Sequence, residues 1–195
     1  MLHARIAIAF TASLATATPL PALAHGGLPA GGFAAAIVHP FLGADHLLAM
    51  LAVGLWAVRL GGGARFVLPA GFLVAMLAGG LLGGGGPALP LVETGIASSV
   101  LLFGLLTALA PGLPLAPTAL LTMAFALLHG HAHGVEMPAG ASAIAYGAGL
   151  LAGSGLLIGV GLVAGELMRR CKVAPMLPAG GAAIAIAGGW LFAIS

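Results

Sequence analysis

Two short stretches hold most of the side chains in this chain that are capable of chemistry. The first is His39-Pro-Phe-Leu-Gly-Ala-Asp45-His46, with Met50 four residues on. The second is His129-Gly-His131-Ala-His133-Gly-Val-Glu136. Imidazole and carboxylate together make a ligand set suited to divalent transition metals. On a helix turning about 100° per residue, His46 and Met50 differ by about 40° and share a face. His39, seven residues before His46, projects near the same side if Pro40 does not swing it away. Asp45 points elsewhere, so it either ligates a metal itself or accepts a proton from a ligating imidazole. In the second stretch His129, His133 and Glu136 line one stripe if the helix continues to residue 136, and His131 faces away. Gly130 and Gly134 bear on that continuation, and they also permit close approach of another helix. A lone histidine is ordinarily a packed, hydrogen-bonded side chain, and a lone Met50 is ordinarily core. Five histidines in two clusters, with Asp45, Glu136 and Glu93, argue instead for a metal site.

The elements that must position these residues follow from composition. Charged residues make up 5% of the 195, against roughly 25% in a soluble domain. Hydrophobic residues reach 61% and the mean hydropathy is +1.20. The solvent this chain expects is lipid. A span needs about 20 apolar residues, and the pattern predicts helices near 40–58, 66–83, 91–110, 115–133, 139–165 and 176–194. The expected fold is all-α, a polytopic membrane protein of about six transmembrane helices. Residues 30–39 read as a lead-in, with Pro40 in the first turn of a helix. Residues 1–24 read as a cleavable signal peptide, with Arg5, a short apolar stretch and an Ala22-Leu23-Ala24 cleavage site. An uncleaved anchor helix is the alternative. Cleavage leaves residues 25–195 as one membrane domain that begins with His25, whose α-amine and imidazole can chelate a metal ion together.

Charge then sets the orientation. Arg59 and Arg65 fall between the first two spans, and Arg169, Arg170 and Lys172 between the last two. With an outside N-terminus both loops are cytoplasmic, as the positive-inside rule requires. The expected location is the bacterial inner membrane with a periplasmic mature N-terminus. Both histidine stretches and Glu93 then lie at one depth, toward the outside. Glu166, three and four residues before Arg169 and Arg170, reads as a helix-end ion pair. Among the 33 glycines, Gly149xxxGly153, Gly155xxxGly159 and Gly161xxxGly165 give one helix several small faces. Such faces pack within one chain or between two copies.

Other chemistries lack their residues. A net charge of +2 without a dense basic patch does not suit nucleic acid. Cys171 is the single cysteine, so there is neither an intramolecular disulfide nor a CxxC site. No Walker sequence and no HExxH occurs. Ser154 lies in Ala-Gly-Ser-Gly, with no histidine in the last span to serve as its base. His129xxxHis133 is short of the histidines a di-iron site needs. No enzyme and no resident cofactor are expected.

The run at 39–46, continuing Leu47-Leu-Ala-Met-Leu-Ala-Val-Gly-Leu-Trp56, resembles one hallmark of the HupE/UreJ family, His-Pro-x-x-Gly-x-Asp-His. Residues 129–136 match the second, His-Gly-x-Ala-His-Gly-x-Glu, and the similarity runs the length of the chain. The resemblance implies a secondary nickel or cobalt permease, of the kind associated with hydrogenase and urease maturation or cobalamin synthesis. It implies metal-handling roles for His39, Asp45, His46, His129, His133 and Glu136, whereas His131 falls at a variable position. The larger nickel/cobalt transporter family has His-x4-Asp-His where this chain has His-x5-Asp-His, so that likeness is one of chemistry alone. Ni²⁺ or Co²⁺ is thus expected as transported substrate. A membrane metal sensor or chaperone, binding without moving the ion, would share the ligand clusters.

Overall fold

Every backbone polar group in a bilayer core must be satisfied within the protein, which leaves helices as the economical way to span it. The computed structural model describes residues 32–109, 112–171, 173 and 175–195. The expected signal peptide and His25 lie outside the described residues. Seven helices are found among those described: α1 Phe33–Leu42, α2 Ala44–Leu60, α3 Ala64–Gly83, α4 Val92–Leu109, α5 Leu115–Val135, α6 Ala143–Arg170 and α7 Met176–Ile194. The last five are each long and apolar enough to cross a membrane, and α1 with α2 form a pair bent by 85° that makes a sixth span if taken as one. The protein is an all-α, multi-pass membrane protein.

The first span departs from the sequence expectation. A single helix over 40–58, with residues 30–39 as lead-in and Pro40 in its first turn, is replaced by two helices. Pro40 lies inside α1, near its end. Proline lacks the N–H that would bond the carbonyl four residues back, and three residues later the chain breaks. Gly43 takes φ −92° and ψ 121°, and caps the end of α1 and the start of α2 at once. Length and hydropathy of the run do not encode this bend.

Elsewhere local chemistry sets the ends. Gly61 and Gly62, at φ 73° and 50°, make the turn between α2 and α3, a conformation that favours glycine. Ser142 caps α6, accepting from the Ala145 N–H at 3.3 Å. Pro114 and Pro175 precede α5 and α7.

Packing relies on absent side chains. A methyl group on Gly130 would strike the Met76 carbonyl, and one on Gly79 the Leu127 carbonyl, so α3 and α5 touch backbone to backbone. Gly104, Gly181 and Gly188 bring α4 and α7 together in the same way. Gly149 and Gly153 of α6 meet Phe33 and Ile37 of α1, while Gly161 meets Leu51 of α2. Gly155 touches only the Leu73 side chain, and Gly159 faces open space. Of the three small faces anticipated on α6, the middle one therefore makes no close helix contact. The outer surface is apolar, with Phe66, Leu81 and Ile186 more than 70% exposed, as a lipid-facing surface should be.

The two ends of the bundle differ in charge. Arg59 closes α2, Arg65 opens α3, and Arg169 and Arg170 close α6. Glu166 accepts from Arg169 at 2.7 and 2.9 Å and from Arg170 at 2.7 Å, and lies 3.5 Å from Arg65. Arg59 donates to the Ala108 carbonyl at 3.3 Å. Glu166 thus takes the ion-pair role anticipated for it, extended to a second helix. Lys172 lies outside the described residues.

Candidate metal centre

Four helix ends meet at the opposite end of the bundle. α1 brings His39 in its last turn, α2 brings Asp45 in its first, with His46 beside it, and α4 brings Glu93 in its first. α5 continues to Val135, so His129, His133 and Glu136 fall on its final turns and cap, as the stripe requires. His39 donates from Nε2 to Glu136 Oε2 at 3.2 Å, and His133 Nδ1 stands 4.0 Å from the same oxygen. His39, His133 and Glu136 offer ligand atoms within 4.8 Å of one another. The imidazoles continue inward as a chain: ring centres are 4.9 Å apart for His39 and His133, 4.5 Å for His133 and His46, and 4.9 Å for His46 and His129. A bend at Gly43 is what lets His39 and His46, on separate helices, both reach this chain.

Asp45 has turned to its neighbour. Its Oδ1 accepts from the His46 backbone N–H and from His46 Nδ1, both at 2.7 Å. Of the two roles the sequence left open, this contact matches the orienting one, and it leaves His46 Nε2 free. Glu136 lies just beyond α5, and the hydrogen bond from His39 holds its carboxyl below the usual carboxylate range, against the opposing effect of partial burial. It is an exposed acceptor that faces the cluster as an anion.

Unpartnered nitrogen is what the cluster has in excess. His46 Nε2, His129 Nδ1 and both nitrogens of His133 are buried with no hydrogen-bond partner among the described residues. Leaving a buried polar group unsatisfied costs about 1–3 kcal/mol. Several along one chain of rings argue for a ligand that takes lone pairs, as a metal ion does, although among the described residues the convergent group is His39, His133 and Glu136, without His46 or His129. A cavity of about 220 Å³ between α3, α5 and α6 reaches His133, and Met76, Met137 and Tyr146 also line it.

The remaining candidates are placed differently. Met50 is fully buried in the hydrophobic core, one turn below His46. His131 lies outside the His39–His133–Glu136 group, its backbone packed against Gly79 and Gly83 of α3. Glu93 is exposed, within electrostatic reach of Asp45, Glu136 and His46 but outside that group.

The family model described as HupE / UreJ protein matches residues 12–191. The chain belongs to the HupE/UreJ family. It is similar to Protein HupE of Rhizobium leguminosarum bv. viciae, 44% identical over 142 residues that cover 73% of this chain and 74% of that protein. No solved structure matches it significantly. In this HupE/UreJ chain the two sequence hallmarks, more than eighty residues apart, fold onto one another: the first supplies His39, Asp45 and His46, the second His129, His133 and Glu136. The family is one of accessory membrane proteins.

Two residues beside the cluster escaped the sequence reading. Ser99 of α4 lies 2.9 Å from His129 Nε2, and the Phe72 ring of α3 is 5.7 Å from the His129 ring. A serine within an apolar span was the visible signal for the first. An ordinary core phenylalanine gave none for the second.

Proposed function

We propose that this protein is a secondary permease that takes a divalent transition metal, Ni²⁺ or Co²⁺, from the periplasm into the cytoplasm across the inner membrane. The observation that carries this reading is the group of buried, unpartnered imidazole nitrogens at the end of the bundle opposite the arginines. Imidazole and carboxylate hold such ions firmly but release them more readily than a thiolate cage would. The arginine end supplies the cytoplasmic side under the positive-inside rule. The membrane potential then favours inward movement, by about 4.6 kcal/mol for two charges crossing 100 mV. Inside the cell the metal would serve hydrogenase or urease maturation, or cobalamin synthesis.

The test is purified protein in liposomes with a metal-sensitive dye inside, challenged in turn with Ni²⁺, Co²⁺, Zn²⁺ and Mn²⁺. Nickel or cobalt entry that disappears in both His46→Ala and His129→Ala is the expected outcome. Tight binding with no entry, in protein shown to be folded, would replace the permease with a membrane sensor or chaperone.

A further inference from the structure

Ser99 stands against His129, and its single hydroxyl proton decides which nitrogen of that ring is free. Ser99 Oγ lies 2.6 Å from the Ile96 carbonyl oxygen and 2.9 Å from His129 Nε2. A carbonyl oxygen has no proton to give, so at 2.6 Å the hydroxyl proton lies between the two oxygens. Only lone pairs of the hydroxyl then remain for the imidazole, and His129 Nε2–H must be the donor. A neutral imidazole carries one N–H, so Nδ1 keeps its lone pair. That Nδ1 is buried without a partner among the described residues, on a ring 4.9 Å from His46.

From these contacts we propose that Ser99 is a positioning residue of the metal centre, holding His129 as its Nε2–H tautomer and so assigning Nδ1 as the atom that binds the ion. Asp45 does the converse for His46, accepting from Nδ1 and leaving Nε2. The two neighbouring rings therefore present opposite nitrogens. In the other tautomer His129 would turn an N–H toward the cation and direct its lone pair at Ser99. The outer partner of a ligating histidine fixes its tautomer in just this sense, and removing such a partner lowers metal affinity by about 10–100-fold.

The metal-binding role rests on the permease reading, whereas the tautomer is a property of the metal-free protein and is measured separately. The full chain, labelled with ¹⁵N-histidine in detergent micelles, reports each ring's tautomer through its nitrogen shifts, and His129→Asn identifies the His129 signals. Ser99→Ala and Ser99→Thr run in parallel, with circular dichroism and gel filtration to confirm folding. The expected result is an Nε2–H His129 in the parent and in Ser99→Thr, and a mixed or reversed tautomer in Ser99→Ala. In vesicles, KM for Ni²⁺ should rise about 10–100-fold in Ser99→Ala, with Ser99→Thr restoring most of it. An Nδ1–H His129 in the parent overturns the proposal, whatever the variants do. So does a folded Ser99→Ala with unchanged tautomer and KM. If Ser99 sets the tautomer but the parent moves no nickel, the permease reading fails and the assignment of His129 stands.

Discussion

The histidines of the second stretch are not equivalent, and their difference is testable one side chain at a time. His133 has both ring nitrogens buried and unpartnered and sits beside Glu136, whereas His131, with Nδ1 buried and unpartnered too, lies outside the His39–His133–Glu136 group with its backbone against α3. His133→Gln should reduce metal entry at least tenfold, and His131→Gln should retain at least half, both read by dye in vesicles. An equal loss in the two would show that the grouping does not reflect use. Protons compete with metal for imidazole, so the sign of the pH effect is fixed: entry weakens as pH falls from 7.5 to 5.5, through the ordinary histidine range near 6.5. Entry that stays flat or rises over that interval would remove histidine coordination from the rate-controlling step. These residues were legible in the sequence because ionisable groups are rare in apolar spans and their spacing matched a helical stripe. Ser99 was visible only as a polar residue in an apolar span, since a serine that bonds its own helix carbonyl looks the same whether or not a histidine lies across from it.

At the scale of helices, glycine decides which surfaces meet. A methyl on Gly130 runs into the backbone of α3, while one on Gly159 meets nothing. Gly130→Ala should therefore destabilise the fold by about 1–3 kcal/mol, and Gly159→Ala should be neutral, as followed by thermal unfolding in detergent. Two stable variants would show that the α3–α5 seam can open at little cost. Gly43 offers a subtler case. Its backbone angles suit alanine, but an added Cβ would lie 2.8 Å from Asp45 Oδ1 and 3.1 Å from His46 Nδ1. Gly43→Ala should keep the helices yet displace the Asp45–His46 pair, lowering nickel affinity about tenfold by calorimetry. Unchanged affinity would mean that the pair is not needed to orient His46. Span positions could be read from the sequence because lipid sets their length. The break at Gly43 could not, because Pro40 and Gly43 permit a bend without fixing its 85°, and the two helices also lie against α6 through Gly149, Gly153 and Gly161, contacts between distant residues.

The molecule as a whole is polar along one axis, with arginines at one end and imidazoles at the other. Cys171, the single and exposed cysteine, directly follows the arginine end of α6 and is a built-in reporter of orientation. A membrane-impermeant maleimide should label it in inverted vesicles and leave it unlabelled in spheroplasts with intact membranes. The reverse pattern would place the histidine cluster inside the cell and turn the proposed uptake into export. This axis was legible beforehand from five basic residues in two loops, because their placement follows membrane insertion rather than tertiary packing.

The four helix ends at the cluster also carry an electrical consequence. Two of the helices that begin at this end, α2 and α4, place an acid in their first turn, Asp45 and Glu93. Two of the helices that end there, α1 and α5, place a histidine in their last turn, His39 and His133. For the two acids that is the placement helix macrodipoles favour, by about 0.3–1 kcal/mol for a charged group at an exposed end; the histidines, neutral when they bind a metal, gain nothing from it. Asp45 accepts from the His46 backbone N–H at 2.7 Å, and neither acid has an arginine or lysine as salt-bridge partner among the described residues. Among the described residues no lysine or arginine stands at the cluster, and the carbonyl ends of α1 and α5 turn partial negative charge towards it.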